Sequence, residues 1–423
     1  MRPDLSRRGI LRSAGATLFA ATLSEWASAC ARPPASAEAA AASGTSGATR
    51  SVTSAPEVEA LPPDKRIGFA LVGLGKLTLE ELLPAFAHTK LARIAALVSG
   101  DRAKAEKTAR QYGVEAAHLY DYQTFDRLRD DASVDVVYVV LPNSMHAEYT
   151  IRAAQAGKHV LCEKPMAVTV DECSAMIAAC DKAQRWLMIA YRLQYEPHHR
   201  EAIRIVRGLD PSLQLGRLKN IVTSNGQMQK DPSAWRMKRA LAGGGPLPDV
   251  GIYCLNAARY LTGEEPVELT AMKYSPLGDP RFAEVEEQLD FAVRFPSGTM
   301  AACASSYNTY DSKQYRLLCE RGWLAMDPAY PYRGLQLRVA EGGEEDPKKE
   351  RIRELAIQDE NQFALELDHM ARCVLEKRKP HTAGEEGRQD VRLIRALYEA
   401  AETGKTVKLA PSQGLDVFRN GTV

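Results

Sequence analysis

Cysteine is scarce. The chain has 8 among 423 residues, and no two stand in the Cys-x-x-Cys or Cys-x-x-His spacing that builds a zinc site. Neither a metal centre nor a disulfide framework is therefore indicated. Cys162, Cys173, Cys180, Cys254, Cys303, Cys319 and Cys373 stand mostly among apolar neighbours and read as small buried hydrophobes. Net charge is also lacking: 55 basic and 54 acidic side chains leave +1, with no Lys/Arg block in the body of the chain. A nucleic-acid or anionic-membrane partner has no electrostatic support. The apolar stretch at residues 14–23 is well short of the ~20 residues a bilayer-spanning helix needs, so no transmembrane segment is expected in the mature form.

What is present begins with an address. SRRGILRSAG, residues 6–15, sets Arg7 and Arg8 before that short apolar stretch and resembles the twin-arginine (Tat) signal of proteins exported already folded. Residues 1–30 are expected to be this leader, and the destination the periplasm. ASAC at 27–30 permits cleavage after Ala29, which frees the protein, or lipidation of Cys30; the soluble product is favoured. Export usually goes with disulfides, and their absence fits better if folding finishes before export. Residues 31–63 are rich in Ala, Ser, Gly, Thr and Pro and bury too little to offset their ordering entropy, so a disordered linker or arm is expected.

From residue 64 to about 190 the pattern is strand, turn, helix, repeated. IGFALVG, RIAALVS, VDVVYVVLP, KHVLCEKP and LMIAY are apolar runs of the kind buried on both faces of a parallel sheet. Helical stretches lie between them, one opening at Asp171, so a doubly wound α/β domain is expected. Its first turn, Gly73-Leu74-Gly75-Lys76-Leu77-Thr78, has the two glycines that let a pyrophosphate approach the backbone, but Thr78 stands where Gly or Ala is usual. The second strand ends at Ser99, with Arg102 and Lys104 beyond. A hydroxyl and two cations favour a phosphorylated ribose, hence NADP over NAD. Asp101 is the counter-argument, unless it caps a helix.

LPNSMHAEYTIRAAQAGKHVLCEKPMAVT, residues 141–169, resembles the Gfo/Idh/MocA oxidoreductase family, and the likeness covers nearly everything from residue 62 onward. WRMKRALAGGGPLPDVGIYCLNAARYLTGEEP, residues 235–266, narrows it to the glucose–fructose oxidoreductase branch. The resemblance implies that NADP is held by Gly73, Leu74, Gly75, Lys76, Ser99, Arg102, Lys104, Tyr122, Leu141, Pro142, Asn143, His146, Glu163, Lys164 and Arg192. It also implies a homodimer or homotetramer joined through the second sheet.

Residues 191–423 form the expected substrate and oligomerisation domain. KNIVTSNGQ, PVELTAMKYS, EQLDFAVRFP, GTMAACASSY, QYRLLCERG and LQLRVAEG read as strands of a large, mostly antiparallel sheet, and a helix at about 386–403 packs back on the first domain. A helix at about 250–261 carries Tyr253, four residues after Asp249, so both share one face near its start. Oxidising an alcohol needs a base for the hydroxyl proton while hydride leaves carbon. Tyr253 is the candidate base, Lys164 the cation that favours its ionised form, and Asp249 the group that orients lysine or sugar. Trp235, Arg236 and Asn256 are candidate sugar contacts. The expectation is an exported NADP-dependent sugar oxidoreductase that passes hydride from an aldose to retained NADP and on to a second sugar. An aldose, polyol or inositol dehydrogenase, or a 1,5-anhydrofructose reductase-like enzyme, with exchangeable cofactor is the alternative. A non-catalytic sugar-binding protein is the alternative of another class.

Overall fold

The computed structural model describes residues 59–342, 350–412 and 415. The twin-arginine leader, Cys30 and the linker as far as residue 58 lie outside them. Six parallel strands, β1 (Ile67–Val72), β2 (Ala92–Val98), β3 (Leu119–Tyr120), β4 (Val136–Val139), β5 (His159–Glu163) and β6 (Leu187–Ala190), lie in the order β3-β2-β1-β4-β5-β6. Every residue of β1, β4 and β6 is buried, because helices cover both faces. Strand order reverses between β1 and β4, which opens a crevice beyond their carboxyl ends. β3 was not among the expected strands; two residues are too few to leave a periodic signal.

The helices α1 (Arg102–Tyr112), α2 (His146–Gln155) and α3 (Val170–Lys182) belong to this half. α3 corrects one expectation. Its cap is Thr169, whose hydroxyl accepts the Glu172 N–H while the Glu172 side chain returns to Thr169 N–H; Asp171 lies inside the first turn.

The second sheet has nine strands: β7 (Leu218–Met228), β8 (Glu268–Tyr274), β9 (Gln288–Arg294), β10 (Met300–Ser306), β11 (Asn308–Cys319), β12 (Gly322–Met326), β13 (Leu337–Glu341), β14 (Arg351–Glu354) and β15 (Val407–Lys408). Their order is β14-β13-β12-β11-β7-β10-β9-β8-β15, antiparallel except between β7 and β10. The expected fold class, a doubly wound parallel sheet plus a mostly antiparallel one, is the observed one.

Four more helices join the halves: α4 (Pro197–Val206), α5 (Ile252–Thr262), α6 (Gln362–Leu375) and α7 (Gly384–Thr403). α5 packs on β7 and β10; α7 spans from β8 to α3 and β6; α6 lies across β1 and β2. α5 and α7 are locked by Arg259, which is wholly buried. It donates to Asp390, to Glu386 at 3.1 Å and to Glu265 at 3.0 Å. Removing one partner of such a buried group strands the rest, typically at about 3–5 kcal/mol. Tyr253 is the second residue of α5, so the helix that this lock holds is the one that carries it.

Candidate active site

The glycine turn closes β1 against the crevice. Gly73 has φ +97°, and a Cβ there would lie 2.3 Å from the Val140 carbonyl oxygen, so only glycine fits. A Cβ on Gly75 would meet nothing within 4 Å. One glycine allows the turn, and the other leaves open space over it. Thr78, the departure from the usual pattern, is buried and donates its hydroxyl to the Gly73 carbonyl at 2.6 Å. It closes the turn from inside, so the substitution is no argument against a nucleotide.

At the end of β2, Asp101 is the N-cap of α1 and accepts the Lys104 N–H at 2.9 Å. The carboxylate that argued against a ribose phosphate is thus spent on a helix end. Ser99 is buried and its hydroxyl accepts the Asp101 N–H at 3.1 Å. Arg102 is exposed and bonds Glu106 at 2.7 Å; Lys104 and Lys76 are exposed. Tyr122 packs edge-on against Tyr149, with its ring beside Gly100. An open glycine turn at the strand-order reversal, with two exposed cations past β2, fits a phosphorylated dinucleotide.

Lys164 and Asp249, 85 residues apart, meet. The Lys164 Nζ donates to the Asp249 carbonyl at 2.7 Å and lies 3.3 Å from its Oδ1. It also stands 4.6 Å from the centre of the Tyr253 ring, so it meets the ring face. Asp249 sits in a π-helical turn, Leu247–Gly251, which runs into α5. The glycines before that turn are there for close approach: a Cβ on Gly245 would lie 2.4 Å from the Glu286 carbonyl oxygen.

Asp249 Oδ2 accepts from Arg236 Nε at 3.0 Å and from the Tyr307 hydroxyl at 2.8 Å. Burial alone would raise its carboxyl, but the Arg236 and Lys164 charges and the Tyr307 hydroxyl overcome that and hold it well below the usual carboxylate range. It is an anchor for cations and cannot itself take a proton near neutrality. Tyr307 was missed in the sequence; it follows β10, 58 residues from Asp249, with no local signal.

A small pocket opens beside this group, lined by Lys164, Tyr191, Leu193, Ile252, Tyr253 and Asn256. Asn256 lines it with its amide engaged, donating to Asp390 at 2.8 Å and accepting from Gln194 at 3.1 Å. Trp235 is half-buried and carries the Arg236 guanidinium 4.5 Å over its ring. Arg192 is buried beneath Tyr253, 5.0 Å from its ring centre, and gives its N–H groups to Gln362 and to the Tyr330 and Pro331 carbonyls. Those bonds tie it to the second half of the chain.

His146, expected to contact the cofactor, opens α2. It is wholly buried, with its ring nitrogens 2.9 Å from the Pro165 carbonyl and 2.8 Å from the Leu141 carbonyl. Burial holds its pKa down, and the neutral ring has one N–H, which donates to one of these two carbonyls. Leu141 is buried against Gly73, Pro142 opens the turn at 143–145, and Asn143 donates to the Ala242 carbonyl at 2.8 Å. The Lys164–Pro165 peptide is cis. Glu163 accepts the Tyr138 hydroxyl at 2.7 Å. Leu74 is buried in the core beside the glycine turn.

A doubly wound sheet with a glycine turn at its reversal, and a lysine, carboxylate and phenol over the same edge, defines the class of nucleotide-dependent oxidoreductases. Residues 67–191 match the family model of the Gfo/Idh/MocA oxidoreductases, NAD-binding Rossmann fold, and residues 204–325 match the GFO/IDH/MocA C-terminal domain. The chain belongs to the Gfo/Idh/MocA oxidoreductase family. It is 32% identical over 351 residues to a D-xylose 1-dehydrogenase [NADP(+)] of Haloarcula marismortui, covering 82% of this chain and 94% of that one. It is 28% identical over 291 residues to a 1,5-anhydro-D-fructose reductase of Ensifer adhaerens, covering 67% and 82%. Among solved structures, aldose-aldose oxidoreductase from Caulobacter crescentus, complexed with glycerol, superposes with a TM-score of 0.77 at 48% identity, covering 81% of this chain and all of that one.

Proposed function

We propose that this protein oxidises an aldose at its anomeric carbon to a lactone, keeps the hydride on tightly held NADP, and returns it to a second sugar. The observation that carries the reading is the meeting of Lys164, Asp249 and Tyr253 at the pocket beside Asn256 and Tyr191. The likeness to a structure described as an aldose-aldose oxidoreductase supports it. Residues 64–190 are the cofactor unit and 191–423 the substrate unit.

The cofactor, when bound, supplies the hydride acceptor. Gly73, Gly75 and the backbone of their turn would hold its pyrophosphate, with Arg102 and Lys104 toward a ribose phosphate. Asp249, ionised, fixes the Lys164 ammonium over the pocket. Tyr253, whose ring face meets that ammonium, receives the hydroxyl proton of the sugar at its phenolic oxygen. Asn256 and Tyr191 wall the sugar, and Trp235 with Arg236 closes the open side.

The leader, residues 1–30, supports export by the twin-arginine route to the periplasm, with Cys30 as an alternative lipid anchor. Outside the cytoplasm no nucleotide pool exists to exchange with, so a retained cofactor recycled by two sugars is the arrangement that turns over repeatedly. Val222, Met272 and Met300 are exposed on the nine-stranded sheet, and supply the apolar face for a homodimer or homotetramer.

The test is the near-ultraviolet absorbance of the purified full chain on adding an aldose. A reduced-nicotinamide band, erased by a second sugar, is expected. No band from folded protein, even with added NADP, overturns the reading. A second reading, an aldose dehydrogenase with exchangeable NADP, is favoured by the likeness to D-xylose 1-dehydrogenase. Activity lost on dialysis and restored by nucleotide would select it.

A further inference from the structure

β12 and β13 are antiparallel neighbours, and a hairpin joins such strands in about two to five residues. The chain instead runs through 327–336, without helix or strand, and the Asp327 N–H closes the loop's base on the Gln336 carbonyl at 3.1 Å. Side chains from elsewhere take the carbonyls of its middle. His199 Nε2 lies 2.8 Å from the Ala329 carbonyl, Arg192 donates to the Tyr330 carbonyl at 2.8 Å, and Gln362 donates to the Tyr332 carbonyl at 2.7 Å. Arg192 and Gln362 share the Pro331 carbonyl. The Tyr332 ring packs edge-on against Phe363, with 5.1 Å between centres. Arg192 follows β6, Gln362 opens α6, and both are buried. Residues 329–332 are thus fixed along the carboxyl edge of the first sheet.

Beyond Tyr332 the tie is of another kind. Arg333, 69% exposed, donates to Glu81, 15% exposed, at 2.8 Å. Glu81 belongs to the helical segment at 78–82, which follows the glycine turn and packs on α6. The two ends of the loop therefore match the two ends of the crevice. The Tyr330 ring stands 5.9 Å from the Tyr253 ring at the reacting end, and Arg333 reaches the segment after Gly73 and Gly75 at the other. A dinucleotide with its pyrophosphate on that turn and its nicotinamide toward Lys164 runs between the same two points.

We propose that residues 329–333 are a strap along bound NADP, that the Arg333–Glu81 pair is its catch, and that opening the catch sets how fast the nucleotide leaves. This rests on the NADP reading above, and gives the retention of the cofactor a cause within one chain. The buried ties hold 329–332 in place, since parting them strands a guanidinium or an amide away from water. The exposed pair parts at little cost, because water takes both charges. The strap makes and breaks no bond of the reaction; Arg333 and Glu81 act on binding alone.

The experiment follows the fluorescence of NADPH leaving the full chain during a chase with excess NADP+. Arg333→Glu loses an attraction and adds a repulsion, and should speed release about tenfold. Glu81→Arg tells the catch from simple charge. It adds a cation beside the glycine turn, which would slow release if only the charge of the nucleotide mattered; through the catch it speeds release. The double reversal should return to within about twofold of wild type. Hydrogen exchange over 329–336 should slow when NADP+ is added to wild type. If Glu81→Arg does not fold, Arg333→Ala decides: its release should be faster than wild type and lose the acceleration by salt that wild type shows. Rates that ignore the single reversals, a double variant as fast as the singles, or exchange indifferent to nucleotide overturns the strap and leaves the NADP reading standing. A folded wild type that binds no NADP overturns both.

Discussion

Replacing Asp249 by asparagine keeps the side-chain shape and removes the charge on which three donors converge. Lys164 is 11% exposed and Asp249 15%, so their contact is poorly screened, and its loss is set at about 2–3 kcal/mol. Arg236, 39% exposed, recovers water, and its share stays below ~1 kcal/mol. Together that is about 3 kcal/mol. With an unfolding entropy of ~2.1 cal/mol/K per residue over ~350 residues, the melting temperature falls by about 4 °C. The carboxyl's folded pKa is depressed, so its stabilisation is complete above the unfolded value near 3.9 and is lost only as pH falls through the lower folded value. The deficit is therefore the same at weakly acidic and weakly basic pH. Catalysis suffers more, because the Lys164 ammonium is no longer fixed; single-turnover reduction should slow by about 10²–10³. Scanning calorimetry and stopped-flow absorbance make the two measurements. A melting point within about 1 °C of wild type, with a rate within about threefold, would refute the reasoning.

The two glycines of the first turn should separate in their effects. Gly73→Ala meets a carbonyl and a positive φ and should lose about 2–4 kcal/mol in urea titration, whereas Gly75→Val should melt like wild type yet bind NADP at least about tenfold more weakly. Equal stability of both variants contradicts this. His199 is wholly buried between the Ala329 carbonyl and the Tyr260 hydroxyl, and burial holds it down to about 4. Its contribution is complete above the unfolded value near 6.5 and declines by up to about 1.4 kcal/mol per pH unit as pH falls toward 4. His199→Phe should flatten that part of the urea-midpoint profile, and an unchanged slope would sink the assignment.

The apolar runs of β1, β2, β4, β5 and β6 were legible because strands buried on both faces need unbroken hydrophobicity, and the alternating runs of β7 to β11 because one face is wet. Gly73 and Gly75 were legible as well, since a turn with positive φ admits little else. So were Lys164, Asp249 and Tyr253 as types, at a strand end and a helix start. What folding alone decided is where they meet. The Lys164 ammonium falls on the Tyr253 ring because Arg259 pins α5 to α7, and Asp249 stays ionised because Arg236 and Tyr307 arrive from other elements. Local sequence dictates backbone periodicity and turn chemistry over a few residues; charge and proton affinity depend on neighbours that only the closed chain supplies.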